Sequence, residues 1–320
     1  MAPRPLRVLL AALVTAAVAV PTSAAASPNA VPAPAPTAPA PVPAATPEAL
    51  AARYGATRAD VLAAAATAED HGDRRRAASL RALADPARHL LSFDGRDGGR
   101  SVEVFGDLAG AERIAVLVPG SDTTLDLYGR FRGGATRLAT ELGGGSAVVA
   151  WLGYRTPATV SLPAVTAGRA DTAAPDLRAF VQELAAARPG ATISLLCHSY
   201  GSVVCARAAA DLPVKDIVLY GSPGTGFPAA AALRTPATVW AGRGADDWID
   251  RVPDLAIRLP FVTVGFGADP VSPAFGARIF DAGDADHSGY LRAGSVSLRA
   301  MARIVAGGSV SPGSPAGAAR

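Results

Sequence analysis

Lysine is nearly missing from this chain: Lys215 is the only one among thirty basic residues, and the rest are arginine. That bias reads as coding preference, not as chemistry. A basic surface is missing as well. The formal net charge is +3, and Arg4 and Arg7 in the leader described below supply two of those charges, so the remainder stands near +1 (3 − 2). Such a balance argues against a nucleic-acid partner. Beyond the first thirty residues no run is apolar and uncharged for long enough to cross a bilayer, so no stable membrane anchor is expected once the leader is removed. Internal repeats are absent. Cysteine and histidine are scarce enough to name in full: Cys197 and Cys205; His71, His89, His198 and His287.

What is present begins with an export signal. "MAPRPLR" is a basic start, residues 8–20 an apolar stretch, and "TSAAAS" (22–27) the small residues that a signal peptidase needs, with cleavage expected near Ala26. Residues 27–46 are a Pro/Ala tether that favours an extended, solvated chain. Residues 307–320 have nothing to bury and read as a loose tail without a sorting motif. A secreted, monomeric protein is the expectation.

Between tether and tail, residues 47–306 read as one domain. Ala, Leu and Arg recur at helical spacing over 48–68 and 72–85, after a helix start at Thr46-Pro47-Glu48. "HLLSF" (89–93) and "SVEVFGD" (101–107) flank a hairpin-like "DGRDGG". Short apolar runs then follow at 113–118, 146–152, 192–197, 216–221, 237–242 and 277–282. Most are too continuous for half-exposed strands and suit a sheet covered on both faces. Helical stretches at 124–142, 174–188 and 201–211 separate them. The alternation predicts an α/β fold with a doubly wound, mostly parallel sheet, preceded by a helical segment and a hairpin.

Ser199 falls at the end of a central strand and just before a helix, in Cys197-His198-Ser199-Tyr200-Gly201. A nucleophile elbow needs that position, with small residues two before and two after the serine; Cys stands where Gly is usual. Of the histidines, His71 lies in a charged stretch, His89 precedes the hairpin, and His198 adjoins the serine and points away from its hydroxyl. His287 follows the last strand, in the chain order Ser, acid, His. The acid is Asp247 or Asp246, in the loop after 237–242; Asp247-Trp248-Ile249 has the more usual pattern, and the other Asp would cap a helix. The expected oxyanion donors are the backbone N–H groups of Tyr200 and Ser121. Asp122-Thr123-Thr124 also reads as a helix cap. The pocket walls are expected from 153–172 and 222–235, with Tyr154, Tyr200, Trp248 and Tyr290 as candidate lining.

"VLVPGS", "VAWLGY", "CHSYGS", "LYGSPG", "DDWI", "ADPVSPAFGARIF" and "DADHSGY", spread over roughly 85–306, together resemble a family of secreted actinobacterial α/β-hydrolases long grouped as a domain of unknown function. The resemblance implies the α/β-hydrolase fold, an elbow serine at Ser199 and a base at His287. For the acid it reaches only the Asp246/Asp247 pair. "DADHSG" (284–289) also matches the start of a calcium loop, but its twelfth position is Ser295 where Glu is required, so no metal or cofactor is expected. The resulting expectation is a serine esterase or lipase-like acyl hydrolase acting on a small-molecule or lipid ester. The alternatives are a peptidase or amidase with the same triad, or an envelope-binding protein that kept the fold and lost turnover.

The two cysteines have a geometric reading of their own. Gly201 and Cys205 share one helix face, Gly201 must face the strand, and descents of about 6–7 Å along the strand and about 6 Å along the helix match. An even count in an exported chain favours a Cys197–Cys205 disulfide over two free, buried thiols.

Overall fold

The computed structural model describes residues 32–37, 44–252, 254–260 and 262–310. The export signal, part of the tether and most of the tail lie outside these residues. Two helices open the domain: α1 (Pro47–Asp70), whose N-cap Thr46 accepts from Ala49 N–H ahead of Pro47, and α2 (Arg74–Leu83), capped by Asp73. They are followed by β1 (His89–Asp94), β2 (Arg100–Phe105), β3 (Arg113–Val118), α3 (Tyr128–Leu142), β4 (Ser146–Leu152), α4 (Gly168–Ala187), β5 (Thr192–His198), α5 (Gly201–Ala208), β6 (Asp216–Tyr220) and β7 (Thr238–Gly242). Last come the short β8 (Ile257–Arg258), β9 (Thr263–Val264) and β10 (Arg278–Ile279), and α6 (Val296–Val305).

The main sheet runs β1-β2-β4-β3-β5-β6-β7-β10. β2 is antiparallel to both neighbours; from β4 to β10 every pairing is parallel. β4 and β6 are buried at every position, as the continuous apolar runs imply for strands covered twice. One face, including Val116, Val149, Leu195 and Leu219, packs into the same core as Leu177 and Val181 of α4 and Val203 and Val204 of α5. The opposite face, with Leu117, Ala150, Leu196 and Val218, is equally buried.

The elements differ from the sequence expectation at their ends. α4 begins at Gly168, not 174, and runs through Pro175. The proline removes one backbone bond, but Ala170, Ala173, Ala174 and Leu177 on the buried face carry the helix past it. α3 starts at Tyr128 after a 3-10 turn at Leu125–Leu127. α5 stops at Ala208, three residues before Asp211 takes a left-handed φ of +57°. The last strand shrinks to Arg278–Ile279, because Gly283 N–H turns back onto the Asp281 carboxylate (2.8 Å). α6, capped by Ser295, and the β8–β9 pair are elements that the sequence reading did not assign.

Candidate active site

β5 ends at His198 and α5 begins at Gly201, so Ser199 occupies the turn between a central strand and its helix. Its φ of +51° is left-handed, a conformation costing a serine about 1–3 kcal/mol. Ser199 N–H donates to Tyr220 O (3.0 Å), and Ser199 O accepts from Ser202 N–H (2.9 Å). A Cβ on Gly201 would stand 2.6 and 2.7 Å from the carbonyl oxygens of Val118 and Pro119, so only glycine fits there. On the strand side Cys197 is disulfide-bonded to Cys205 across a Cα separation of 6.4 Å, and both residues are fully buried. The lateral gap between strand and helix thus stays within disulfide reach.

Eighty-eight residues later in the chain, His287 comes to this turn. Its Nε2 lies 2.9 Å from Ser199 Oγ, and its Nδ1 lies 2.8 Å from Asp247 Oδ1. A carboxylate only accepts, so Nδ1 carries the proton and the Nε2 lone pair of the neutral ring faces the serine hydroxyl. Asp247 is buried and accepts from Ile249 N–H (2.9 Å) and Tyr290 O–H (2.6 Å). Burial pushes its carboxyl up, but the hydrogen bonds from His287 and Tyr290, the His287 charge and the Ile249 N–H outweigh it and hold the carboxyl below its usual range. Asp246, the neighbour that the sequence could not separate from it, is exposed to solvent. Tyr290 also accepts from Gly244 N–H (3.0 Å), and burial followed by the Asp247 charge raises its phenol far above the ordinary value. Sequence reasoning treated Tyr290 as pocket lining and missed its bond to the acid; its place three residues after His287 was the available signal. Gly221, at φ +56°, lets the chain pass this cluster: a Cβ there would meet Asp247 Oδ2 at 2.9 Å and His287 Cε1 at 3.4 Å.

His198 points away from the serine hydroxyl, as expected, and is hydrogen-bonded elsewhere. Its Nε2–H donates to the backbone carbonyl of His287 (2.7 Å), and burial, then the nearby His287, pulls its pKa down to about 3. Opposite the serine, a Cβ on Gly120 would touch Ser199 Cβ at 2.7 Å, so the Pro119–Ser121 backbone runs directly against the nucleophile turn. That backbone is anchored by Tyr154 O–H on Pro119 O (2.7 Å) and by Asp122 N–H on Pro157 O (3.0 Å). Among the described residues, no group accepts from the backbone N–H of Tyr200 or of Ser121. Asp122 does not cap a helix. Its carboxylate accepts from the Thr159 N–H (3.1 Å) and hydroxyl, and Thr124 makes no side-chain cap bond. The loop is pinned sideways instead.

These groups open into a cleft of about 640 Å³. Its walls come from residues within 119–137, from Thr159, Ala164 and Val165, from Trp248, Ile249 and Val252, and from Gly265 and Phe266. Two expectations are corrected here. Of the stretch 222–235 only Pro223 reaches the cleft, because Gly224 pairs with Phe266, whose carbonyl also accepts from Gly226 N–H; residues 265–266 stand between. Tyr154 lies behind the wall, bonded to Pro119. Tyr200, Trp248 and Tyr290 do line it. In the 284–289 segment the Asp286 carboxylate accepts from Ser288 N–H (2.9 Å) and Arg292 (3.0 Å). Among the described residues, no group of three or more His, Cys, Asp or Glu is arranged to hold a metal.

A sequence model described as an alpha/beta hydrolase matches residues 94–257. An uncharacterized protein of Mycobacterium tuberculosis is 29% identical over 260 residues, which is 68% of this chain and 38% of that protein. The chain therefore spans well under half the length of that relative. An uncharacterized protein of Mycobacterium bovis is 34% identical over 186 residues, 51% of this chain and 70% of its own. Among solved structures, an a/b serine hydrolase without lid from Xanthomonas campestris aligns with a TM-score of 0.44 at 20% identity, covering 69% of this chain and 94% of that one. Esterase LipW from Mycobacterium marinum aligns at 0.41 and 17% identity, covering 78% and 90%.

Proposed function

The chain belongs to the alpha/beta hydrolase family, and from that premise we propose that it is a serine hydrolase of carboxylic esters, with Ser199 as nucleophile, His287 as base and Asp247 as the acid that orients it. The observation carrying this reading is the unbroken run of hydrogen bonds from Ser199 Oγ through both nitrogens of His287 to Asp247, at 2.9 and 2.8 Å. As Ser199 Oγ attacks the ester carbonyl, its proton passes to His287 Nε2, and the imidazolium is stabilised by Asp247, which stays ionised. The carbonyl oxygen becomes an oxyanion facing the N–H groups of Tyr200 and Ser121, each worth about 3–4 kcal/mol to the transition state. His287 returns the proton to the departing alkoxide, leaving an acyl-serine. Water, deprotonated by the same nitrogen, then hydrolyses it and restores the serine.

His198 cannot take this role, since its Nε2–H is committed to the His287 carbonyl. The Cys197–Cys205 bond also gives the departure from Gly at the elbow a structural reason. Disulfides persist in oxidising compartments, so the same bond supports export under the N-terminal signal. The test is labelling with a fluorophosphonate probe, followed by a series of p-nitrophenyl esters of increasing chain length. Labelling that disappears in Ser199→Ala is the expected result; a chain that never labels overturns the reading.

A further inference from the structure

Nine large apolar side chains are exposed among the described residues, and only Leu62 lies on α1, away from the cleft. Leu127, Val165 and Trp248 line the cleft itself. Val160, which is 94% exposed, and Leu162 lie on the segment leading to Val165. Val165 O accepts from Gly265 N–H (2.7 Å), and Gly265 approaches Leu255 so closely that a Cβ would lie 2.0 Å from the Leu255 carbonyl oxygen. Ile257 pairs with Val264 beside it. Three chain segments therefore meet in one apolar rim beside the cleft that leads to Ser199. Soluble monomers rarely keep contiguous aliphatic surface of this kind in water without a use for it.

We propose that this rim is a lipid-binding face and that the ester substrates are drawn from a lipid layer on which it sits. The second half rests on the reading of Ser199 as nucleophile; the first does not. Three observations select a lipid layer as the occupant. The rim borders the cleft that holds Ser199, so a lipid layer seated on it faces the route to Ser199 and supplies substrate through that route. Its exposed apolar side chains are Leu, Ile and Val with one half-exposed Trp, aliphatic area with a single aromatic of the kind that sits at a membrane–water boundary. On one side of the rim the segment 154–169 carries Arg155 and Arg169 and no carboxylate, and Arg155 is exposed, whereas the 246–254 segment presents exposed Asp246, Asp250 and Asp254, so attraction to anionic headgroups falls on the 154–169 side alone.

The experiment separates binding from turnover. The Ser199→Ala chain, which keeps the rim, is sedimented with vesicles of phosphatidylcholine and phosphatidylglycerol. Co-sedimentation is expected, and Val160→Asp/Ile257→Asp in the same background should weaken partition by about tenfold or more. With Ser199 intact, the double variant should cleave dissolved p-nitrophenyl acetate within about twofold of the parent rate and lose most activity on a long-chain ester carried in the vesicles. Circular dichroism checks that the variant is folded; should it not be, Ile257→Asp alone is read in its stead. The proposal is overturned if the intact rim stays in the supernatant or if the aspartate variant binds as well as the parent. Self-association by light scattering without vesicle binding also overturns it, in favour of a second copy on the rim. Failure of all ester cleavage would strike the nucleophile reading alone, because vesicle binding is read without turnover.

Discussion

The floor of the cleft and its rim are built on opposite terms. On the floor, Ser199, His287 and Asp247 are each held by two or more hydrogen bonds, and Gly120, Gly201 and Gly221 bring backbone so close that no side chain could enter. The rim stands in solvent, tied by a few backbone bonds such as Gly265 to Val165 and by the two-residue pairing of β8 and β9. Reacting atoms misplaced by an ångström lose rate by orders of magnitude. A surface that only has to present apolar area tolerates looser support. Floor substitutions should therefore act on rate and stability, and rim substitutions on which substrate is reached.

The largest expected effect is on the floor. Ser199→Ala and His287→Ala should each lower kcat/KM by about 10³-fold or more, with an unchanged circular dichroism spectrum. Asp247→Asn should approach that loss, while Asp246→Asn, on an exposed residue, should stay within about twofold. Equal losses at the two aspartates, measured on one p-nitrophenyl ester, would break the distinction.

Next is the brace. Replacing both Cys197 and Cys205 by alanine removes a short cross-link and should lower unfolding free energy by about 2–3 kcal/mol in urea titration. An unchanged midpoint would mean that the elbow stands without it. A smaller effect is expected from Tyr290→Phe, which takes one donor from Asp247 and one acceptor from Gly244 N–H. About a tenfold fall in kcat with KM nearly constant is expected, together with about 1–2 kcal/mol of stability. A change confined to KM would assign Tyr290 to the wall alone.

The last effect is a slope. His198 has a folded pKa of about 3, below the unfolded value of about 6.5, so only the unfolded chain takes up this proton as pH falls between them. Stability contributed by the neutral ring is complete above about pH 6.5 and is lost as pH falls toward about 3. His198→Gln, which keeps a donor, should flatten urea midpoints measured from pH 6.5 to 4. An unaltered slope would contradict the burial of this ring.

The sheet and the nucleophile turn were legible because their signals are local. Continuous apolar runs announce doubly covered strands, and small residues flanking Ser199 announce a tight turn. His287 was reachable by chain order together with elimination of the other three histidines. Asp246 and Asp247 were not separable, since adjacent residues differ only in which side of a turn faces inward, and the inward one is chosen by His287 and Tyr290 from forty residues away. The cleft walls were misread for a related reason. The run 263–267 has almost no periodicity, and its insertion ahead of Gly224 depends on a pairing between distant segments.

The bond from His198 to the His287 carbonyl has a mechanical consequence. Nucleophile and base are coupled by two links in parallel: one, between Ser199 Oγ and His287 Nε2, is remade with every proton transfer, and the other joins the preceding residue to the base's own backbone. Only the first takes part in chemistry. When the proton sits on His287 and the first link loosens, the second still limits how far that segment can recoil. Because His198 stays neutral at ordinary pH, it adds no repulsion at the moment its neighbour becomes a cation. The working gap is thus bounded by a tie that takes no part in the proton transfer itself.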